Sequence, residues 1–464
     1  MLPRILHYHR QAMRNYHLST QQLANLQTRK LRHLLDHAFH HVPLYHRWFR
    51  SRGLTPEDIR TTDDLRRLPT LERHEIRANY PTGITDSTNR SRGADVRRTS
   101  GTTGPPLRIL HAQQYVDLIT ALRFRRYRMA GLQLADRGVD VIYGGTAEKH
   151  RNGVRGSTAW QTLRRTYHVA VDATGSFRPA PRLTGLKLYD DNLTEVAHAL
   201  LQLKPTFIYS RPSYLRRLGN LLTHEHQPLR TPKLIAAGEY LSDACRTELE
   251  HLYHAEVFQG YGTKEMGSLA SECLAHAGLH HHSDYFIIEI LRDGEPVAPG
   301  ERGEVVITSL HNELMPLIRY KQGDMAVQGE HDRCGCGSNL PRLQAIEGRL
   351  DDGLVSTDGL RIPPGQIIGH LESVIGLRDY QLIQTSPRQV LVKLHPPYDD
   401  SNVIAEVSEY LKPFLGEGTH IEVEPWSAGE FPIKYRPVTH TRPPTDEPTL
   451  PAANPAPNPG RTGT

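Results

Sequence analysis

Between residues 139 and 258 short apolar runs alternate with stretches of helical character, and each run ends in a turn. Val139-Asp140-Val141-Ile142-Tyr143 leads into Gly144-Gly145, and Tyr167 to Asp172 leads into Ala173-Thr174-Gly175. Phe207-Ile208-Tyr209 precedes Ser210-Arg211-Pro212, where proline suits a first helical turn, and Leu234 to Ala237 precedes Gly238-Glu239. Ser242-Asp243 then caps a helix to about Tyr253, and Ala255 to Phe258 leads into Gly260-Tyr261-Gly262. Strands separated by helices of about 10 to 15 residues need crossover connections, so the pattern predicts an α/β fold built on a largely parallel sheet. Ligands of such sheets bind beyond the carboxyl ends of the strands, which directs attention to these turns.

The flanks differ. From Gln21 to Phe49 apolar residues recur at helical spacing (Leu23, Leu26, Leu31, Leu34, Leu35, Ala38, Phe39), and Val42-Pro43 ends the run. Thr55-Pro56-Glu57-Asp58 and Thr62-Asp63-Asp64-Leu65 read as helix starts with acidic first turns, and the helical opening closes near Tyr80-Pro81. Beyond Asp284 the runs Tyr285–Leu291 and Gly303–Ser309 predict a small β-subdomain. After Gly348-Arg349 comes strand, Asp358-Gly359 turn, helix (Pro364 to Ile375), two strands, helix (Asn402 to Leu415) and strand (His420 to Glu424). That is a smaller α+β domain. The expected division is 1–90 (helical part of the large domain), 91–348 (core), 349–440 (mobile lid domain) and 441–464, a Pro-rich tail expected to be disordered. There is no internal repeat.

A chain of 464 residues can bury a large core. Its net charge of +5 is uneven: residues 1–100 carry eighteen Lys+Arg against nine Asp+Glu, leaving the remainder net acidic. A basic surplus attracts phosphates, but no aromatic interleaving accompanies it, so no nucleic-acid partner is expected. No run of about 18 apolar residues exists, and no membrane association is expected. Met1 to His7 shows no apolar h-region or cleavage site, so no secretory signal is expected, and four cysteines, two of them in Cys334-Gly335-Cys336, do not look like a disulfide framework for this length. The expected compartment is the cytoplasm.

Several stretches carry chemistry. Thr99 to Pro106 (Thr-Ser-Gly-Thr-Thr-Gly-Pro-Pro) offers backbone N–H groups and hydroxyls suited to a polyphosphate, or is a Ser/Thr/Gly surface turn. It lacks the Gly-Lys-Ser/Thr ending of a Walker A loop. Gln259 to Glu265 places a carboxylate after a strand, where it holds Mg²⁺ or is an ordinary solvated Lys-Glu turn. Asp324, after Gln322-Gly323, can accept both hydroxyls of a ribose or sit in a plain β-turn. Arg349-Leu350-Asp351-Asp352 forms the interdomain linker, and Ile433-Lys434-Tyr435-Arg436-Pro437 is a lone basic cluster. Cys273, His280-His281-His282, Cys334 and Cys336 supply a Cys₃His set, closed and structural if zinc occupies it; buried thiols beside a chance His run are the alternative. Cys245 falls on a predicted helix as a core residue. No Gly-x-Ser-x-Gly elbow and no His-Glu-x-x-His helix occurs, which disfavours serine hydrolases and zincin proteases.

Taken in order, these motifs resemble the adenylate-forming superfamily of acyl-CoA synthetases, luciferases and nonribosomal adenylation domains. The narrower resemblance, over roughly residues 21 to 437, is to the phenylacetate–CoA ligase family and its capsule-biosynthesis and coenzyme-adenylating relatives. It rests on Leu31-Arg32-His33-Leu34-Leu35, Val42-Pro43-Leu44-Tyr45, Asp63-Asp64-Leu65, Leu68-Pro69 and Gly238-Glu239. It rests also on Glu272-Cys273, Gly278-Leu279-His280, Cys334-Gly335-Cys336-Gly337 and Gly348-Arg349-Leu350-Asp351-Asp352.

The resemblance implies a large adenylation domain with a mobile C-terminal domain. It implies ATP-dependent activation of a small carboxylic acid to an acyl-adenylate, then transfer to CoA. Ser100, Gly101, Thr102, Thr103 and Gly104 would wrap the β/γ-phosphates of ATP, and Gly238, Glu239, Tyr261 and Gly262 would line the adenine side. Glu265 would bind Mg²⁺, Asp324 the ribose, Arg349 would support ribose and hinge, and Asp351 would be the pivot. Lys434 would be the catalytic lysine, and Cys273, His280, Cys334 and Cys336 the structural zinc ligands. Three departures stand out: Pro105 replaces a lysine, Lys264 replaces a phosphate-contacting threonine, and Ile433 replaces the glycine before Lys434. Lys264 can itself meet a phosphate. A same-fold ligase that forms an amide or adenylates another acceptor, and a non-catalytic nucleotide-binding relative, are the alternatives.

Overall fold

A computed structural model describes residues 2–88, 94–98, 106–133, 135–145, 170–171, 177–178, 182–372, 380–394, 400–416, 418–425 and 437–440. Most of Thr99 to Pro106, with Lys434 and the 441–464 tail, lies outside the described residues.

Twelve described strands form one sheet. Its parallel half runs, from the centre outward, Glu256–Thr263, Lys233–Ala237, Phe207–Ser210, Arg137–Gly145, Arg182–Tyr189. The helices Pro212–His224 and Asp243–Tyr253 make the crossovers predicted from the strand–turn–helix alternation. Ser242 caps the second, its Oγ accepting from Cys245 N at 2.9 Å. The β-rich run after Asp284 hydrogen-bonds as antiparallel strands (Phe286–Arg292, Arg302–Ser309, Tyr320–Gln328, Arg342–Arg349) and continues the same sheet through Leu279–His281 and Gly267–Glu272. The β-subdomain is thus an extension of the central sheet.

The N-terminal helices cover the antiparallel half. Thr20–His41 begins in a capping box between Ser19 and Gln22, which contributes about 1 kcal/mol, and buries Leu23, Leu31, Leu34, Leu35 and Ala38. Each fully buried leucine contributes about 1.5–3 kcal/mol. Val42 is extended because a residue before proline avoids the helical region, and Pro43 opens a new helix, Pro43–Ser51. The two expected helix starts at Thr55 and Thr62 form only 3₁₀ turns, Pro56–Asp58 and Asp63–Arg67. Ile59, Leu65 and Leu68 are each drawn into the core within a few residues, which leaves no length for an α-helix. An additional helix, Leu2–Asn15, precedes them. It is fixed from inside: Arg125 and Asp284, both fully buried, pair at 2.7 Å, and Asn15 Nδ2 donates to the other Asp284 oxygen at 3.0 Å.

Among residues after Arg349, the hairpin Leu354–Val355/Arg361–Ile362 turns at Asp358-Gly359, and the helix Pro364–Leu371 follows. Tyr380–Ser386, Gln389–Leu394, His420–Pro425 and a short edge strand, Val438–His440, form a four-stranded sheet packed on the helix Asp400–Leu415. No described helix is long and apolar enough to cross a membrane.

Candidate active site

The carboxyl ends of Lys233–Ala237 and Glu256–Thr263 open into a cavity of about 340 Å³, lined on one side by Pro364, Ile368, Pro437 and Val438. Every described residue that the sequence assigned to nucleotide binding lines it: Gly238, Glu239, Tyr261, Gly262, Asp324 and Arg349, joined by Lys264 and Glu265. Gly238 has φ +87, a left-handed conformation that lets the chain leave its strand and turn Glu239 along the cavity wall.

Asp324 is the best-anchored group. Tyr261 Oη donates to its Oδ2 at 2.8 Å and Gln322 Nε2 to the same oxygen at 2.6 Å, while Tyr261 and Gln322 also bond each other. Arg349 Nε lies 4.0 Å from the other oxygen, Oδ1, because Asp324 and Arg349 face each other in the register of neighbouring strands. Burial raises the Asp324 carboxyl above the ordinary carboxylate range, partly offset by Arg349 and by the Tyr261 hydrogen bond. Arg349 also reaches the Gln322 carbonyl at 3.3 Å, and Asp351 sits in the 3₁₀ turn between Arg349 (3.9 Å) and Arg361 (3.5 Å). The turn Leu350–Asp352 is therefore ion-paired to Arg349 at the cavity wall.

Glu265 is buried. His111 Nε2 bonds its main-chain oxygen at 2.7 Å, and its carboxylate meets the Tyr320 hydroxyl at 3.4 Å. Lys264 is exposed at the cavity edge. Glu239 is engaged by Arg211 Nη1 at 3.1 Å and by the Ser213 N–H at 3.2 Å, at the positive end of the helix Pro212–His224. Gln322, Arg211 and Arg73 were not singled out from sequence; all three belong to the lining, and Arg73 also donates to the Gln322 carbonyl at 3.3 Å. The helix start at Ser210-Arg211-Pro212 was the available signal for Arg211. Cys245, expected as core, is buried and reaches the cavity from its helix. Ser100, Gly101, Thr102, Thr103, Gly104 and Lys434 fall outside the described residues.

A second cluster lies apart. The ligand atoms of Cys273, His280, Cys334 and Cys336 all lie within 4.8 Å of one another. Cys273 Sγ and Cys334 Sγ are 3.8 Å apart, the edge of a tetrahedron with metal–sulfur bonds of about 2.3 Å, and Cys336 Sγ is 3.4 Å from His280 Nε2. His280 Nδ1 faces the Leu340 carbonyl at 3.1 Å, which orients Nε2 inward. The set is compatible with zinc.

No family model matches the chain. It is 29% identical over 360 residues to the phenylacetate-coenzyme A ligase of Escherichia coli (strain K12), covering 75% of this chain and 76% of that one. It is 26% identical over 428 residues to that of Pseudomonas putida, covering 88% and 91%. Among solved structures it resembles 2-hydroxyisobutyryl-CoA ligase in complex with 2-HIB-AMP in the postadenylation state, with TM-score 0.72 at 20% identity over 89% of this chain and 88% of that one.

Proposed function

We propose that the chain is a member of the adenylate-forming superfamily that activates a small carboxylic acid with ATP and passes the acyl group to CoA. In the first half-reaction a substrate carboxylate oxygen bonds to the α-phosphorus of ATP and the bond to the bridging oxygen breaks, releasing pyrophosphate. In the second, the CoA thiol loses its proton, its sulfur bonds to the acyl carbon, and AMP leaves.

The observation that carries this reading is Asp324. Its Oδ2 is committed to Tyr261 and Gln322, while Oδ1 faces the cavity beside Arg349, an arrangement suited to a ribose diol. Gly238, Glu239, Tyr261 and Gly262 would border the adenine. Carboxylates ionise near pH 4, so the acid needs no general base; the work is positioning and charge stabilisation. Ser100, Gly101, Thr102, Thr103 and Gly104 would cradle the β/γ-phosphates. Lys264 would supply positive charge where the loop carries Pro105, and Lys434 would stabilise the transferring phosphorus. Arg349 and Asp351 form the hinge of the small domain.

The buried Glu265 carboxylate, a hard oxygen donor on the cavity wall, fits Mg²⁺ shared with phosphates. Mg²⁺ would neutralise charge on the departing pyrophosphate. Zinc would be held by Cys273, His280, Cys334 and Cys336; with four protein ligands it would staple the end of the sheet and take no part in chemistry. The thiols suit a reducing, cytoplasmic setting.

Pyrophosphate exchange into ATP across a panel of aryl and alkyl acids, followed by CoA consumption with the best acid, tests the proposal. Exchange with CoA-dependent loss of the adenylate is expected. Exchange with CoA left unconsumed would redirect the acyl group to an amine or another acceptor.

A further inference from the structure

The turn at residues 264–266 joins the strands Glu256–Thr263 and Gly267–Glu272 and carries Glu265 on the cavity wall. Three side chains at steps of four, His111, Tyr115 and Ile119, meet three successive residues there. His111 Nε2 lies 2.7 Å from the Glu265 main-chain oxygen; a carbonyl only accepts, so the ring nitrogen carries the hydrogen and donates it. Tyr115 Oη donates to the Met266 oxygen at 3.2 Å and accepts from Ser309 Oγ at 3.2 Å. Gly267, at φ +80, packs so closely on Ile119 that a Cβ there would lie 2.9 Å from the Ile119 Cβ. Within the turn, Met266 N–H donates to Thr263 Oγ1 at 3.1 Å.

The bonds from His111 and Tyr115 both fix main chain, and both donors are themselves held. The two side chains are buried, and their rings meet edge to face with centres 4.8 Å apart. An apolar side chain would fill the same space without the cost of burying an imidazole; what His111 adds is a donor aimed at Glu265. The Glu265 carboxylate meets Tyr320 Oη at 3.4 Å, so the residue is tied at its backbone and at its carboxylate. Arg108, at the other end of the strand that His111 closes, pairs with Arg98 across the stretch proposed to cradle phosphates.

Resting on the ligase reading above, we propose that His111 is a positioning residue for Mg²⁺: with Tyr115 beside it, it holds the turn so that the Glu265 carboxylate can share the ion with the phosphates of ATP. Mg²⁺ accepts little departure from octahedral geometry, so a carboxylate on a loosened turn binds it less well. Groups that orient a ligand from behind are typically worth about 10- to 100-fold in metal affinity.

The test measures ATP affinity of the full-length protein by calorimetry without acid, once with excess Mg²⁺ and once with EDTA; the ratio of the two reports the ion. The parent is expected to bind ATP more tightly with Mg²⁺. In His111→Phe the ratio should fall about 10-fold with the EDTA affinity unchanged, and His111→Gln, which keeps a donor near the Nε2 position, should recover most of it. Tyr115→Phe keeps the ring and removes the hydroxyl, so a fall of about 3-fold is expected there, a measurement that stands even where His111→Phe does not fold. Adding His111→Phe to Glu265→Gln should lower the ratio no further. A parent ratio of one, equal losses with Mg²⁺ and with EDTA, or a His111→Gln no better than His111→Phe would overturn the proposal, as would additive losses in the double variant. Exchange of pyrophosphate is read separately: if no acid supports it, the ligase reading fails while the Mg²⁺ ratio still decides the role of His111, and absence of ATP binding overturns both.

Discussion

Replacing Asp324 by Asn removes one negative charge while keeping an oxygen for Tyr261 and Gln322. The oxygen facing the cavity beside Arg349 is the proposed ribose acceptor, and hydrogen bonds to a charged group contribute about 1.5–3 kcal/mol. Asp324→Asn should therefore lower kcat/KM for ATP by about 10- to 150-fold, measured as pyrophosphate exchange against ATP concentration. Stability should move the other way or stay level. Burial raises this carboxyl in the folded state above its unfolded value, so the folded protein keeps the proton longer. Stability from this group is therefore full below the unfolded value and declines as pH rises through the raised one. Asp324→Asn should abolish that part of the decline in denaturant titrations from pH 4 upward. An unchanged dependence on ATP, together with a parallel pH–stability curve, would refute the role given to Asp324.

Three further outcomes follow from the same account. Metal analysis of protein purified without chelator should find about one zinc per chain, and Cys334→Ser should lose it and unfold at lower denaturant. Lys434→Ala should slow exchange by about 10²- to 10³-fold with little change in melting temperature, since the expected contact is made with the reacting phosphate. Ser19→Ala, which removes the cap on Thr20–His41, should cost about 1 kcal/mol in unfolding free energy and leave kinetics unaltered.

Four strands of the parallel half were legible as short apolar runs, but its edge strand Arg182–Tyr189 was not predicted. The run Tyr167 to Asp172, expected as a strand beside them, is described only at Ala170–Val171, which pairs antiparallel with Phe177–Arg178 in a separate sheet. Gly238-Glu239 follows the strand Lys233–Ala237 as expected, whereas Gly260-Tyr261-Gly262, expected as a turn after Phe258, continues the strand Glu256–Thr263 and pairs with Gly267–Glu272; both stretches line one cavity. Asp324 was legible for its motif, but its dependence on Gln322 was hidden: two residues apart in an ordinary strand they share a face, whereas their ties to Tyr261 cross 61 and 63 positions of sequence. The Cys₃His set was readable because thiols and imidazole advertise metal chemistry whatever the intervening fold, and the structure brings all four together. The helix Leu2–Asn15 was missed because histidines and arginines dilute its apolar stripe, and it is held by Asn15 on Asp284, a contact spanning 269 residues. Val438–His440 was missed because three residues carry too little period to register; their pairing with Tyr380–Ser386 defines the strand. The 3₁₀ turns at Pro56 and Asp63 carry genuine helix-start residues, and only the short distance to the next buried residue stops them.

Release and incorporation of pyrophosphate test the central claim most directly. With Mg²⁺, ATP and labelled pyrophosphate, at least one acid in a panel of monocarboxylic, dicarboxylic and aryl acids should drive label into ATP, and Asp324→Asn should depress that signal. Tight ATP binding with no acid-dependent exchange would contradict the account and leave a nucleotide-binding protein without ligase chemistry.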